Sequence, residues 1–184
     1  MRDNIKIIGV LTIVCLVCAL FLSLAASMAK DKVTRNESKA IREAIFNIVG
    51  ECKEIKEVSI KGTKVYKLFD DKNSLIGYGF LAAGEGYQGK IKIMTVVDKN
   101  FNKLLGIEII SSQETPGLGA KINEDYFKNQ FKSLNIKIPI EYTKGEVKKD
   151  NQIKAITGAT ISSKSVVNIL NKAIDKLKSL LKNE

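Results

Sequence analysis

Two threonines and two serines stand at the start of the last amphipathic segment, in the sequence Thr-Gly-Ala-Thr-Ile-Ser-Ser at positions 157–163. Threonine and serine are common at the N-cap of a helix. The first turn of a helix leaves N–H groups without acceptors and carries partial positive charge, so it suits a phosphate, and Lys164 adds charge. Gly158 and Ala159 leave room for a ligand. These residues alone indicate either an anion site or an ordinary helix N-cap.

Two glycine-containing segments are further candidates for ligand contact. The sequence Gly-Glu-Gly-Tyr-Gln-Gly at 84–89 lies between two predicted strands, where glycines let the backbone approach a ligand and Tyr87 can lie against a ring. The sequence Glu-Thr-Pro-Gly-Leu-Gly at 114–119 follows a strand, and its proline and glycines predict a shaped loop that offers backbone N–H groups. A turn without a function remains the alternative for each segment.

The composition excludes several kinds of site. The chain has 184 residues and no histidine, which excludes a histidine general base, a Ser-His-Asp triad and histidine ligation of a metal or haem. Cys15 and Cys18 lie inside an apolar run, where a thiol most simply acts as a small apolar residue. Cys52 is the only cysteine outside that run, so no disulfide framework is predicted. We expect no metal site and no catalytic residue.

The net charge of +10 comes from 30 Lys and Arg against 20 Asp and Glu. Scattered lysines on solvated faces explain it most simply, although a basic surface also suits anionic lipid. No basic stretch alternates with stacking aromatic residues, and tryptophan is absent. The sequence therefore predicts no nucleic-acid partner.

Residues 7–29 form an uncharged apolar run that is long enough to cross a bilayer. A cleaved signal peptide is the alternative, because Ser27 and Ala29 are small residues at positions that a signal peptidase reads; the run is longer than a usual signal core. We favour an uncleaved anchor. The basic residues on the two flanks are similar in number, so charge does not fix the orientation.

Hydrophobic periodicity predicts the elements that would carry these segments. Apolar residues at helical spacing predict helices over residues 33–49 and 163–181, and a shorter helix is predicted over 124–133. Pro139 begins an extended piece. The predicted strands cover 58–60, 64–69, 74–82, 90–98 and 104–111, and turn residues at 98–102 indicate an antiparallel pair. The expected class is α+β: an N-terminal transmembrane helix, then a mainly antiparallel sheet flanked by helices.

Three motifs in this order resemble the FMN-binding domain family. Thr-Gly-Ala-Thr at 157–160 is similar to the flavin attachment motif of that family, residues 114–119 are similar to a second family motif, and Gly-Tyr-Gln-Gly at 86–89 to a third. One short anchor before a single such domain resembles the G subunit of the Rnf ion-translocating oxidoreductase complex. The G subunit is related to the C subunit of the sodium-pumping NADH:quinone oxidoreductase. The resemblance covers essentially the whole chain.

The resemblance implies a covalent flavin. In the family, the second threonine of the attachment motif forms a phosphoester with FMN that a flavin transferase installs from FAD, so Thr160 is the implied attachment residue. Lys154 stands where the motif usually has an aspartate, and Asp150 is the nearest upstream acid. The other residues implied to bind FMN are Thr157, Gly158, Ala159, Ile161, Ser162, Tyr87, Glu114, Thr115, Pro116, Gly117, Leu118 and Gly119.

The resemblance also implies a function and a location. The chain would relay electrons in a membrane-bound Rnf-type complex that couples ferredoxin:NAD oxidoreduction to translocation of Na⁺ or H⁺. Its implied partners are the other membrane and peripheral subunits, a flavin transferase and membrane lipid. The implied layout is a tail at 1–6, a transmembrane helix at 7–29, a connecting helix at 30–50 and an extracytoplasmic FMN-binding domain at 51–184 on a single-pass anchor in the cytoplasmic membrane.

Two other hypotheses remain open at this point. The chain could be a stand-alone anchored flavoprotein that donates electrons to an external acceptor. It could also be a non-redox anchored module whose helix N-terminus holds a free anion or nucleotide.

Overall fold

A computed structural model describes residues 2–50 and 52–181. The predicted segments 1–6 and 51–184 include a few positions outside this range: residue 1, Glu51 and residues 182–184. The chain divides into two compact units, Met1–Ala40 and Ile41–Glu184. The first unit contains most of helix α1 (Arg2–Val49), and the second contains the end of that helix and all the strands.

One stretch in the described part of the chain, Lys6–Ser27 of α1, is long and apolar enough to cross a membrane. Its 22 residues would span about 33 Å at 1.5 Å per residue, which matches a hydrocarbon core of about 30 Å. No part of this stretch is buried against protein. Its place near the N-terminus also fits the signal-sequence alternative.

Six antiparallel strands form the main sheet of the second unit, in the order β1-β2-β3-β4-β5-β6. Neighbours in the sheet are neighbours in the chain, so each connection is local as far as β5. The predicted β4–β5 turn is confirmed: Asp98 accepts hydrogen bonds from the N–H groups of Asn102 (2.7 Å) and Lys103 (2.6 Å). The strands are β1 (Glu54–Ile60), β2 (Thr63–Phe69), β3 (Leu75–Glu85), β4 (Lys90–Asp98), β5 (Lys103–Ser112) and β6 (Leu134–Asn135).

The sheet buries apolar side chains on both faces. In β4, Ile93 and Val97 point into one cluster with the C-terminal helix, while Met94 and Val96 point into a second cluster with the end of α1. Successive side chains of a strand face opposite ways, so a central strand that is covered on both sides becomes apolar at nearly every position. Ile45, which is fully buried, anchors the end of α1 on its face of the sheet.

The segments after the sheet differ in part from the prediction. The helix predicted over 124–133 is only one turn, α2 (Asp125–Lys128), between 3₁₀ turns at Gly119–Asn123 and Asn129–Phe131. β7 (Glu141–Thr143) lies in the extended piece predicted after Pro139, but β8 (Gln152–Lys154) and the parallel pairing of the two strands in a second sheet were not predicted. The last helix, α3 (Thr160–Leu181), begins three residues earlier than predicted. The α+β class with an N-terminal apolar helix is confirmed.

Candidate functional site

Thr160 is the first residue of α3, and the chain reaches it through a tight turn from β8. The N–H of Ala159 donates to the carbonyl of Ile156 (3.0 Å), and Gly158 has a φ of 81°. A positive φ at the third position of a β-turn favours glycine. Ala159 then acts as the N-cap, because its carbonyl accepts the first helical bond, from the N–H of Ser163 (3.1 Å). The glycine of the motif is therefore required by the turn that starts the helix.

The four hydroxyl groups of the motif differ in what they can do. Ser163 is fully buried, where its hydroxyl donates to the carbonyl of Ala159 (3.0 Å) and accepts from the N–H of Ile156 (3.0 Å). Ser162 is also buried and donates to the carboxylate of Glu114. Thr160 is half-buried, and its hydroxyl has no hydrogen-bond partner among the described residues. Thr157 is exposed and lies before the helix.

The start of α3 also offers backbone donors. The first N–H groups of a helix have no acceptor within it, and in the described part of the chain those of Thr160, Ile161 and Ser162 donate to no other backbone carbonyl. Together with the helix dipole, these groups are suited to bind an anion next to the Thr160 hydroxyl.

The 114–119 loop is a shaped turn, as predicted from its proline and glycines. The N–H of Leu118 donates to the carbonyl of Thr115 (3.2 Å), with Pro116 second in the turn and Gly117, at a φ of 74°, third. This is the residue pattern of a type II turn. The Leu118 side chain is half-exposed and lies over Gly158, where an added Cβ would be 3.5 Å from its Cδ2 atom. The loop is thus packed against the turn that leads to Thr160.

The 86–89 segment closes the β3–β4 hairpin, and Glu114 joins it to the other two segments. The N–H of Gly86 donates to the carbonyl of Gly89 (2.7 Å). One carboxylate oxygen of Glu114 accepts from the N–H groups of Tyr87 (2.8 Å) and Gln88 (3.0 Å), and the other accepts from the Ser162 hydroxyl. The ring of Tyr87 is 63% exposed, so it is free to contact a ligand or a partner.

Burial would raise the pKa of the Glu114 carboxyl, but the hydrogen bonds that it accepts outweigh this effect. The donors are the Ser162 hydroxyl and the backbone N–H groups of Gln88, Tyr87 and Gly89, and together they hold the pKa below the ordinary value of 4.5. Donors of this kind stabilise the charged form. Glu114 is therefore a carboxylate at neutral pH.

A basic depression of about 440 Å³ borders the motif at Thr157. Lys121, Tyr126, Gln130 and Lys154 contribute its polar side chains. The Gln130 amide fixes the strand before the motif, because it accepts from the N–H of Lys154 (2.7 Å) and donates to the carbonyl of Lys154 (3.2 Å). This leaves the Lys154 side chain exposed at the rim. A second depression between β3 and α3 is lined by Gly84 and Glu85 of the 84–89 segment but by none of the residues that the resemblance implies to bind FMN.

The structure places the predicted residues of the three motifs next to one another. Glu114 touches both the 86–89 turn and α3, and Leu118 touches the turn at Gly158. Sequence analysis did not identify Lys121, Tyr126 or Gln130, because nothing in their local sequence marks them as neighbours of residue 157. Within the described residues no group of three His, Cys, Asp or Glu side chains could hold a metal ion.

These residues fit a phosphorylated ligand with a flat apolar part. The anion would lie at the N–H groups of Thr160, Ile161 and Ser162. Two exposed apolar side chains lie on the neighbouring segments: Leu118, at 50% exposure, packs against Gly158, and Ile161, at 56%, is in the first turn of α3. The depression beside Thr157 lies within the usual size range of ligand sites, about 300–1,000 Å³.

Comparison with known proteins agrees with this geometry. Residues 86–175 match the family described as "FMN-binding domain", a range that contains all three motifs. The chain is 29% identical over 182 residues to the G subunit of the ion-translocating oxidoreductase complex of Methanosarcina acetivorans, covering 95% of this chain and 94% of the relative. It is 27% identical over 168 residues to the G subunit of the proton-translocating ferredoxin:NAD(+) oxidoreductase complex of Clostridium ljungdahlii, covering 91% and 88%.

A solved structure shares the fold. The crystal structure of NqrC from Shewanella oneidensis matches with a TM-score of 0.57 and 25% sequence identity, over 59% of this chain and 54% of that one. The match therefore spans about half the length of the solved protein. The segment 86–175 is thus similar to the FMN-binding domain family, and the relatives that align over nearly the full length of the chain are G subunits of ion-translocating complexes.

Proposed function

We propose that this chain is an electron-relay subunit of a membrane-bound, Rnf-type ferredoxin:NAD oxidoreductase complex that translocates Na⁺ or H⁺, and that it carries FMN as a phosphoester on Thr160. The observation that carries the proposal is the state of the Thr160 hydroxyl: it lies at the first residue of α3 with no protein partner among the described residues, beside free helix N–H groups. The full-length similarity to G subunits supports the assignment to such a complex.

The surroundings of the hydroxyls support Thr160 as the attachment residue. Attachment would join the threonine oxygen to the phosphorus of the FMN half of FAD, with loss of the hydroxyl proton and departure of AMP. The hydroxyls of Ser162 and Ser163 are buried and already donate to protein acceptors, so neither is available to a transferase. Thr157 is accessible but lies before the N-cap, away from the N–H groups that would hold the phosphate.

Bound FMN would supply the electron transfer, and the residues of this chain would hold and orient it. The N–H groups at 160–162 would hold the phosphate. Leu118, Ile161 and Tyr87 offer apolar surface to the ring, and their exposure leaves the flavin accessible to electron partners. Within the described residues no cluster of metal-ligating side chains suggests a second redox centre.

The attachment is tested by expressing the chain with a flavin transferase and measuring intact mass and in-gel flavin fluorescence. We expect wild type to gain the mass of FMN minus water and to fluoresce after denaturation, and Thr160→Ala to do neither. Thr157→Ala is the matched control, since it removes the same side chain three residues away, and we expect it to retain the flavin. Equal loading of Thr160→Ala and wild type would refute the assignment.

Lys154 needs a separate arm of the same experiment. If wild type stays unmodified while Lys154→Asp is loaded, the transferase rejects the lysine and Thr160 keeps its role. If both stay unmodified, the covalent proposal is wrong.

Assembly with a complex is tested by purification in mild detergent. We expect the tagged chain to bring integral-membrane partners with it, and the complex with Thr160→Ala to lose ferredoxin-dependent NAD reduction. A loaded flavoprotein that purifies without such partners would support the stand-alone alternative. Protease protection in intact cells or spheroplasts checks the orientation: we expect the domain after the helix to be cleaved only from the extracytoplasmic side.

A further inference from the structure

Glu114 lies at the junction of the three motifs, and both of its oxygens face the protein. Its side chain is 5% exposed. One oxygen accepts from the N–H groups of Tyr87 and Gln88, and the other accepts from the Ser162 hydroxyl. These partners are 26 to 48 residues away along the chain. The carboxylate therefore forms a tertiary link and has little surface left for a ligand.

One glycine in each of two loops lies so close to this carboxylate that a side chain would not fit there. A Cβ atom added to Gly119 would lie 2.6 Å from a Glu114 oxygen and 2.6 Å from the Ser162 hydroxyl oxygen. A Cβ atom added to Gly86 would come even closer to the other carboxylate oxygen. Real Cβ atoms do not approach this closely, so both positions require glycine for the link to form. This is a second observation, independent of the hydrogen bonds, that the loops are built on Glu114.

The charge of Glu114 is stabilised by dipoles rather than by a cation. In the part of the chain that the structure describes, no lysine or arginine forms an ion pair with it. A buried carboxylate that accepts several hydrogen bonds keeps its charge without neutralising it. A net negative charge thus lies beside Ser162, two residues from Thr160.

We propose that Glu114 is a positioning residue that holds the 86–89 turn and the 114–119 loop against the start of α3, and that its negative charge lowers the reduction potential of the flavin at Thr160. The claim about the reduction potential rests on the proposed function. Reduction adds electrons to the flavin, and a nearby negative charge opposes this; because the Glu114 carboxylate is buried, water screens its charge less than that of a surface carboxylate.

The positioning half is tested on the full chain without flavin, in detergent, by amide hydrogen exchange. In Glu114→Ala we expect the amides of Tyr87 and Gln88 to exchange at least about tenfold faster, the change that accompanies loss of one hydrogen bond. Glu114→Gln should stay near wild type, because its amide oxygen still accepts both N–H groups. The exposed Glu85→Gln, in the same hairpin, is the control for loss of a carboxylate.

Unchanged exchange in Glu114→Ala would overturn the positioning role. If that variant does not fold, Glu114→Asp replaces it: the shorter side chain keeps the charge but cannot reach both partners, so exchange at Tyr87 and Gln88 should again be faster. Wild-type rates in Glu114→Asp would equally overturn the positioning role.

The electrostatic half is tested by redox titration of the flavin-loaded chain. Glu114→Gln preserves shape and removes charge, so we expect its flavin midpoint potential to be more positive than that of wild type, with Glu85→Gln unchanged. An equal or more negative potential in Glu114→Gln would overturn this half. If neither wild type nor Lys154→Asp takes up flavin, the proposed function is refuted, while the exchange result on the flavin-free chain still decides the positioning role.

Discussion

At the scale of single residues, hydrogen bonding distinguishes hydroxyl side chains that are chemically similar in the sequence. Residues 157–163 contain four hydroxyls, and local sequence does not rank their reactivity. In the folded chain Ser162 and Ser163 are buried, and their hydroxyls donate hydrogen bonds to protein acceptors. Thr160 is half-buried, and its hydroxyl has no hydrogen-bond partner among the described residues. The serines hold the start of α3 in place, and that leaves Thr160 as the hydroxyl beside the helix N–H groups.

The structural role of Ser163 gives a stability prediction. Ser163→Ala removes the acceptor of the Ile156 N–H, which is buried at this point. An unsatisfied buried donor costs about 1–3 kcal/mol, so we expect the free energy of unfolding to fall by about that amount. Ser165→Ala, which alters a half-buried serine on the same helix, should change it by less than about 0.5 kcal/mol. Urea unfolding of both variants measures the difference, and equal stability would contradict the assigned role.

Glu114 gives a prediction about pH. Its pKa is lower in the folded chain than the ordinary 4.5, so its contribution to stability is complete above about pH 4.5 and is lost as pH falls through the folded value. Glu114→Gln lacks this pH-dependent contribution to stability, because its amide does not titrate. We therefore expect wild type to exceed Glu114→Gln in unfolding free energy near pH 7, and the gap to narrow below pH 4.5. A gap that widens on acidification would show that the folded carboxyl has a raised pKa.

At the scale of elements, the sequence predicts best where one period runs over many residues. The apolar face of α3 extends over most of the helix, and β4 begins with alternating lysine and isoleucine and continues as an unbroken buried run, so type and approximate bounds follow. The single-turn α2 and the three-residue β7 and β8 are too short to show a period. Their structure depends on distant partners, such as the Gln130 amide that holds the end of β8. These elements could not be predicted locally.

The candidate site, like the secondary structure, could be predicted from the sequence only in part. The resemblance implied which motifs belong together and included Glu114 among the residues that bind the cofactor, which stays a prediction. In the structure its hydrogen bonds reach the hairpin turn at Tyr87 and the helix at Ser162, contacts that no local pattern reveals. Residue identity indicated the site, whereas the direction in which each side chain faces required the fold.

The loop–helix junction gives a prediction for an element. Gly119→Ala places a Cβ atom 2.6 Å from both a Glu114 oxygen and the Ser162 hydroxyl oxygen, so the loop or the carboxylate must move. Overpacking of this kind costs about 1–3 kcal/mol, and flavin loading by the transferase should fall with it. Gly145→Ala is the matched control, because its Cβ would meet only Thr143, at 3.9 Å. Thermal unfolding and flavin loading of the two variants test this, and a fully loaded, stable Gly119→Ala would contradict the geometry.

At the scale of the whole molecule, the unit boundary falls inside one helix. The unit Ile41–Glu184 includes the last turns of α1, where Ile41, Ala44 and Ile45 cover one face of the sheet. The apolar stretch Lys6–Ser27 belongs to the other unit. The same helix therefore has an N-terminal part suited to lipid and a C-terminal part that completes a protein core.

This division predicts how the chain tolerates truncation. A fragment of residues 41–184 keeps the side chains of both core clusters, so we expect it to fold without detergent and to accept flavin at Thr160. A fragment of residues 50–184 lacks Ile45, which is fully buried, and losing one such side chain costs about 2–5 kcal/mol of a total of about 5–15 kcal/mol. We expect the shorter fragment to unfold at much lower urea concentration or to aggregate. Ile45→Ala in the longer fragment separates the packing effect from chain length, and circular dichroism during urea titration measures all three. Equal stability of the two fragments would mean that the end of α1 does not stabilise the sheet.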